Sequence, residues 1–327
     1  MFGKMINRFY YGKSGKGDFT KEDLPQTRWQ LFWEMLRVRF SALVRLNLMY
    51  VVVWLPTIFV LLNSALVWYS GLVELSTLEM QVASGEATAA ALEEAYAAFQ
   101  GMTPTLIMQT LVLLIPCIAI TGPFTAGVAY VVRNWARDEH AFIWSDFRDA
   151  VKQNWKQGLL TSAITSVMPV VFYVCFQFYG QMTSQSMLYL VPQVLCVIVV
   201  CVWMCGLMYM YPQMVTYKLN FRGLVRNSFI MAVGRLPMTV GLKLLSLVPL
   251  LLAALVAFFT PYMQYAMMAL VLYYLLIGLT LSRFIGASYA NAVFDRYINP
   301  NIEGATVNQG LYVDTDEDDD ETPPQDE

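Results

Sequence analysis

The most charged stretch between the two ends of this 327-residue chain is Arg133–Lys156. It holds Arg133, Arg137, Asp138, Glu139, His140, Asp146, Arg148, Asp149, Lys152 and Lys156. An imidazole beside a carboxylate can exchange protons, so a His140–acid pair is the one acid–base arrangement that the spacing offers. His140 is the only histidine, and neither a nucleophile nor metal-ligand spacing accompanies it, which leaves catalysis without its other parts. The five cysteines, Cys117, Cys175, Cys196, Cys201 and Cys205, form no CxxC pair and lie in apolar runs, where a thiol acts as a small hydrophobe. Gly12-Lys13-Ser14 ends like a phosphate-binding loop, but Asn7 stands where that motif needs glycine. These residues predict a non-enzymatic chain, with no catalytic residue, no metal and no cofactor. The bases of 133–156 suit the head groups of anionic lipids instead.

The elements that must carry these residues follow from composition. Of the residues, 57% are hydrophobic and 14% charged, against about 45–50% and about 25% in soluble domains. Such side chains need a solvent other than water. Six stretches are apolar over about the 20 residues that cross a bilayer. They are 46–68, 104–132, 158–180, 187–217, 244–259 and 262–284, the last continuing as helix to about Phe294. All 21 Lys and Arg fall on one side of them: nine before the first stretch, five between the second and third, five between the fourth and fifth, and two from Arg283 on. Bases are retained in the cytoplasm, so the expectation is an all-α, six-helix, multi-pass protein of the cell membrane with both termini cytoplasmic. No basic–aromatic pattern points to nucleic acid.

Three segments show helical spacing of apolar residues with bases on the other side, the mark of a helix lying in the membrane interface: Trp29–Arg45, Ile143–Gln157 and Phe221–Arg235. Each precedes an outward span with a central proline, Pro56, Pro169 or Pro249. The pattern reads as one hairpin unit used three times. A proline inside a helix frees a carbonyl, which in lipid must find a partner within the protein. Residues 1–27 form a polar cytoplasmic segment, 28–300 the membrane domain, and 301–327 an acidic tail. Nine acids and two prolines in Asp314–Glu327 predict disorder there. Glu86–Phe99 predicts a short Ala-rich helix in the acidic loop after the first span. The amides Asn63, Gln109, Gln177, Gln193 and Gln264 suit hydrogen bonding between spans.

The stretch from Thr121 to Arg133, with Trp144-Ser-Asp-Phe147 and Lys152–Gln157, resembles the YesL-like family of bacterial membrane proteins. Thr121, Gly122, Pro123, Ala126 and Tyr130 match in order the end of that family's second span. Arg133, Asp146, Phe147 and Asn154 fit the segment that follows. The resemblance implies an accessory membrane protein linked to carbohydrate uptake or utilisation, with a sugar ABC transporter or another membrane protein as partner. It brings no active-site residue. The bent, proline-bearing spans leave a channel or facilitator for a small solute as the alternative, and a membrane-embedded enzyme acting on lipid or glycan as a more distant one.

Overall fold

The computed structural model describes residues 24–312, where every regular element is helical. We label them α1 (Arg28–Ser84), α2 (Ala89–Ala119), α3 (Thr121–Trp135), α4 (Ser145–Met182), α5 (Leu190–Thr216), α6 (Phe221–Gly234), α7 (Leu236–Phe259), α8 (Met263–Tyr273) and α9 (Leu279–Tyr297). A π-helical turn, Tyr274–Gly278, joins α8 to α9. Among the described residues, six stretches are long and apolar enough to cross a membrane: α1, α2, α4, Met187–Thr216, α7 and Met263–Asn301. The chain is an all-α, multi-pass membrane protein whose apolar helices contact lipid.

Several boundaries differ from those expected. Trp29–Arg45 is not a separate helix but the first third of the 57-residue α1. No glycine or proline interrupts 29–55, so the hydrogen-bond ladder runs on into the span. Ile143–Gln157 likewise merges with the third span in α4. Only Phe221–Arg235 stands alone, as α6, because Arg235 leaves helical geometry just before Pro237 in the first turn of α7, a position that suits proline. The Ala-rich segment is the start of α2 rather than a short helix of its own. The second apolar stretch, in turn, breaks at Ile120 between α2 and α3. Residues 302–312, assigned by sequence to the tail, run back over the basic end of the bundle: Asn308 bonds Arg28 and Asp295, and the Tyr312 amide donates to Pro25 O (2.9 Å). Residues 1–23 and 313–327, with the phosphate-loop fragment and most of the acidic tail, lie outside the described residues.

Burial gathers at the basic end. One apolar cluster joins Leu31, Leu43, Leu46 and Tyr50 of α1 to Val131 and Trp135 of α3 and Phe284 of α9. A second joins Ala126 to Trp203, Met210 and Leu224; a third joins Cys205 and Tyr209 to Ala290 and Phe294. Toward the other end, at most 22% of the most apolar window of any span is buried. Lipid tails are as apolar as leucine, so nothing drives those parts to cover one another. The span amides follow this division. Asn63, Gln109, Gln177 and Gln264 are exposed, and only Gln193 reaches another span, at Phe176 O (3.4 Å).

The first and sixth spans are tied by one buried amide. The π turn takes Tyr274 O and Leu275 O out of regular helical bonding. Asn47 Nδ2 donates to both, at 2.9 and 2.8 Å, while its Oδ1 accepts from Thr280 N at 2.9 Å. Thr280 Oγ1 donates to Leu43 O (3.1 Å), closing the contact. Asn47 and Thr280 are both fully buried. Replacing Asn47 by leucine orphans these groups, each at about 1–3 kcal/mol. We expect Asn47→Leu to lower stability by at least about 2 kcal/mol in reversible detergent unfolding, and Asn63→Leu, at an exposed position on the same helix, to leave it unchanged.

Candidate functional site

The residues singled out by sequence fall into two groups. The first is a seam between α3 and α4. Pro123 lacks an N–H, so Ala119 O loses its helical partner. Ser162 Oγ, reaching across from α4, donates to that carbonyl. This requires near contact of the backbones, and Gly122 permits it: a Cβ there would lie 2.0 Å from Gly158 O and 2.1 Å from Ser162 Oγ. Farther along the seam a Cβ on Gly127 would lie 2.7 Å from both Phe147 and Val151. Thr121 Oγ1 bonds Ile118 O (2.8 Å), and Thr125 Oγ1 bonds Thr121 O (2.8 Å) while sharing a 2.6 Å hydrogen bond with Tyr50 of α1. Ala126 is fully buried in the second apolar cluster, and Tyr130 packs at the edge of the first. Phe147 is buried opposite Phe124, with ring centroids 6.4 Å apart.

The other two matched residues bond locally. Asp146 Oδ2 accepts from Phe142 N (2.8 Å) at the entry to α4, and Asn154 Nδ2 donates to Ala150 O (3.0 Å) one turn back. Gly122, Pro123 and Phe147 thus sit where α3 meets α4, while Thr121 bonds within its own turn and Ala126 packs in the cluster shared with α5 and α6. Asp146 and Asn154 shape α4 itself and do not converge with them on a common point. His140 is exposed, edge-on to Phe142, and joins no ion pair among the described residues. It borders a shallow hollow of about 560 Å3 with Arg39, Arg45 and Trp135.

Arg133 belongs to the second group, an ionic cluster at the basic end. The buried Arg137 places Nε 3.1 Å from Glu139 Oε1, Nη1 4.0 Å from Asp295 Oδ1, and donates from Nη2 to Thr306 Oγ1 (2.8 Å). Asp295, also buried, pairs through Oδ2 with Arg28 and accepts through Oδ1 from Asn299. Arg133 Nη1 bonds Asn134 Oδ1 (2.9 Å) and lies 3.6 Å from Glu139. Asn291 Nδ2 donates to Arg133 O (3.2 Å), and Tyr217 OH to Asn299 Oδ1 (2.6 Å). Burial, reinforced by the neighbouring Arg137, holds the Arg133 guanidinium below its ordinary pKa. Burial likewise pushes the Tyr217 phenol up to about 12. Gly310, at φ +82°, passes so near Arg137 O that a Cβ would sit 2.7 Å from it.

This cluster joins the ends of α1, α3, α5 and α9 to the 302–312 segment. Its chemistry is that of a clamp: three guanidiniums and two carboxylates bonded to one another. Among the described residues no three His, Cys, Asp or Glu side chains gather as a metal would need. Sequence reasoning missed Arg28, Asn47, Asp295 and Asn299 as partners because their contacts span 227 residues or more, or lie in the last helix. One signal was readable: Asp295 is the only acid between Asp149 and Glu303, and a carboxylate at the end of a span needs a partner.

With this geometry in place, comparison with known proteins gives one match. The model of a family described as "Protein of unknown function, DUF624" matches residues 82–176, the segment that holds the α3–α4 seam and Asp146, Phe147 and Asn154. No curated protein and no solved structure matches.

Two substitutions test the assignments. Gly122→Ala forces Cβ against a backbone carbonyl that cannot swing aside. We expect a loss at or above the top of the ~1–3 kcal/mol usual for overpacking, whereas Gly101→Ala, with open space around it, should be silent in the same thermal melts. Asp295→Ala leaves the buried Arg137 and its neighbour Arg28 short of a counter-charge, and should cost ~3–5 kcal/mol by detergent unfolding.

Proposed function

We propose that the chain is a non-enzymatic accessory component of the cell membrane, linked to carbohydrate uptake or utilisation, with both termini in the cytoplasm. The observation that carries the accessory reading is how the ionisable groups of the basic end are used. Arg28, Arg133, Arg137, Glu139 and Asp295 bond to one another and hold helix ends together. Of the matched residues of 121–154, Gly122, Pro123 and Phe147 lie where α3 meets α4, and Asp146 and Asn154 bond locally. Neither group is arranged around a reacting centre. The spans keep broad apolar faces uncovered, which suits lipid and the transmembrane helices of a partner.

The link to carbohydrate rests on the resemblance of Thr121–Arg133 and Trp144–Gln157 to the YesL-like family, which implies a carbohydrate ABC transporter or another membrane protein as the partner. The orientation rests on the segregation of all 21 bases to one side of the spans. The exposed Trp29 and Trp33, the first stacked on Phe32 and the second edge-on to it, suit the interface with an anionic inner leaflet.

A facilitator is the second reading, favoured by Pro56, Pro169 and Pro249 inside α1, α4 and α7 and by the π turn in the sixth span. Purification in mild detergent separates the two. Stoichiometric recovery of an importer's membrane subunits is the result expected. A monodisperse chain without them, together with sugar or ion flux in liposomes, would replace the accessory reading with the facilitator. A label on Ala87→Cys, in the turn between α1 and α2, is expected to react from outside intact cells; reaction only after lysis would invert the topology.

A further inference from the structure

Two arginines on α1 lack the counter-charges that the arginines of the clamp possess. Arg39 and Arg45 form no ion pair and lie over no ring among the described residues. Both line the hollow of about 560 Å3 between α1 and the connection at 140–145. Ala42 lies between them on the helix and also lines the hollow, to which it adds only a methyl group. Arg39 belongs to the inner side of α1, where Met35, Ala42, Leu43 and Leu46 are buried. Its Nε is buried as well and has no hydrogen-bond partner among the described residues. A buried guanidinium N–H without an acceptor is unfavourable, and it calls for a group that these residues do not supply.

The opposite wall is held in place. Trp135, buried at the end of α3, donates through Nε1 to Ala141 O (3.1 Å). The two acids that flank the 140–145 connection are engaged elsewhere: Glu139 lies against Arg137, and Asp146 Oδ2 accepts from the Phe142 amide. Phe142 and Trp144 line the hollow and are largely exposed. Arg45, exposed too, directly precedes the first apolar stretch. Exposed rings beside arginines at the end of a span mark the head-group level of a bilayer. The hollow therefore opens at the depth of lipid phosphates.

We propose that Arg39 and Arg45 bind the phosphate head group of an anionic phospholipid in this hollow. The guanidinium forks donate to the phosphate oxygens, a match of geometry as well as charge. Phe142 and Trp144 lie beside the upper acyl chains. The site uses only the bilayer setting of the basic end and is independent of any carbohydrate transporter.

Thermal melts of the full chain in a neutral detergent test it with three probes: phosphatidic acid, diacylglycerol with the same acyl chains, and inorganic phosphate. Phosphatidic acid should raise the midpoint saturably, and the other two at the same concentration should not. Arg39→Gln and Arg45→Gln should each weaken the apparent affinity for phosphatidic acid at least about tenfold, as for loss of a charged hydrogen-bonding partner. Arg148→Gln, exposed on α4, should keep it. If Arg39→Gln does not fold, Arg39→Lys keeps the charge without the fork and should bind more weakly than the wild type. No shift with phosphatidic acid, an equal shift with diacylglycerol, or an undiminished response when both arginines are replaced by Gln would overturn the proposal. An equal shift with inorganic phosphate would overturn the assignment to a lipid.

Discussion

A backbone group released from helical bonding in an apolar medium has no water to turn to, so another part of the protein must bond it. Three such carbonyls, met by two side chains, help to hold this fold together. Asn47 answers the π turn of the sixth span, and Ser162 answers the carbonyl that Pro123 leaves open. One interaction fastens the first span to the last; the other fastens α4 to the end of α2, just before α3 begins. Hydroxyls extend the same logic: Tyr50 meets Thr125, Trp203 Nε1 donates to Thr165 (3.0 Å), and Tyr209 meets Thr239 (2.9 Å). Each bond joins two different helices. Directional contacts of this kind matter more where apolar burial supplies little drive between helices.

The result is a molecule with two unlike halves. At the basic end, three apolar clusters and an ionic clamp fix the helix ends. At the other end, the helices continue as hairpins whose large side chains face outward, among them Phe59, Leu62, Val199, Phe258 and Met268. Water would not tolerate that surface, and lipid requires nothing else of it. Specificity of packing therefore belongs to the basic end.

The membrane class and the six spans were legible in the sequence, because hydropathy is a local signal. The break at Thr121-Gly122-Pro123 was legible for the same reason: proline chemistry acts within four residues. Two interfacial helices were misplaced as separate elements because amphipathic spacing reports which face is apolar, not where a helix stops. The partner of the Pro123 carbonyl was foreseeable in kind but not in identity, since Ser162 lies 43 residues from Ala119. The clamp was illegible in the stronger sense. Arg28 and Asp295 are 267 residues apart, and no pattern along the chain announces which of many arginines a lone acid will meet.

Helix α1 is unbroken over 57 residues, about 85 Å at 1.5 Å per residue, and a bilayer core takes up only about 30 Å of that. Its first turn is gripped by Asp295, and its last turn carries the α1–α2 loop at Gly85. Such a rod is a lever. Tilting it by roughly 5° at the gripped end sweeps the distant tip through about 7 Å over that length, unless flexure at Pro56 absorbs the rotation. Whatever displaces the Arg28 contact on one side of the membrane is thereby magnified into travel of the loop on the other.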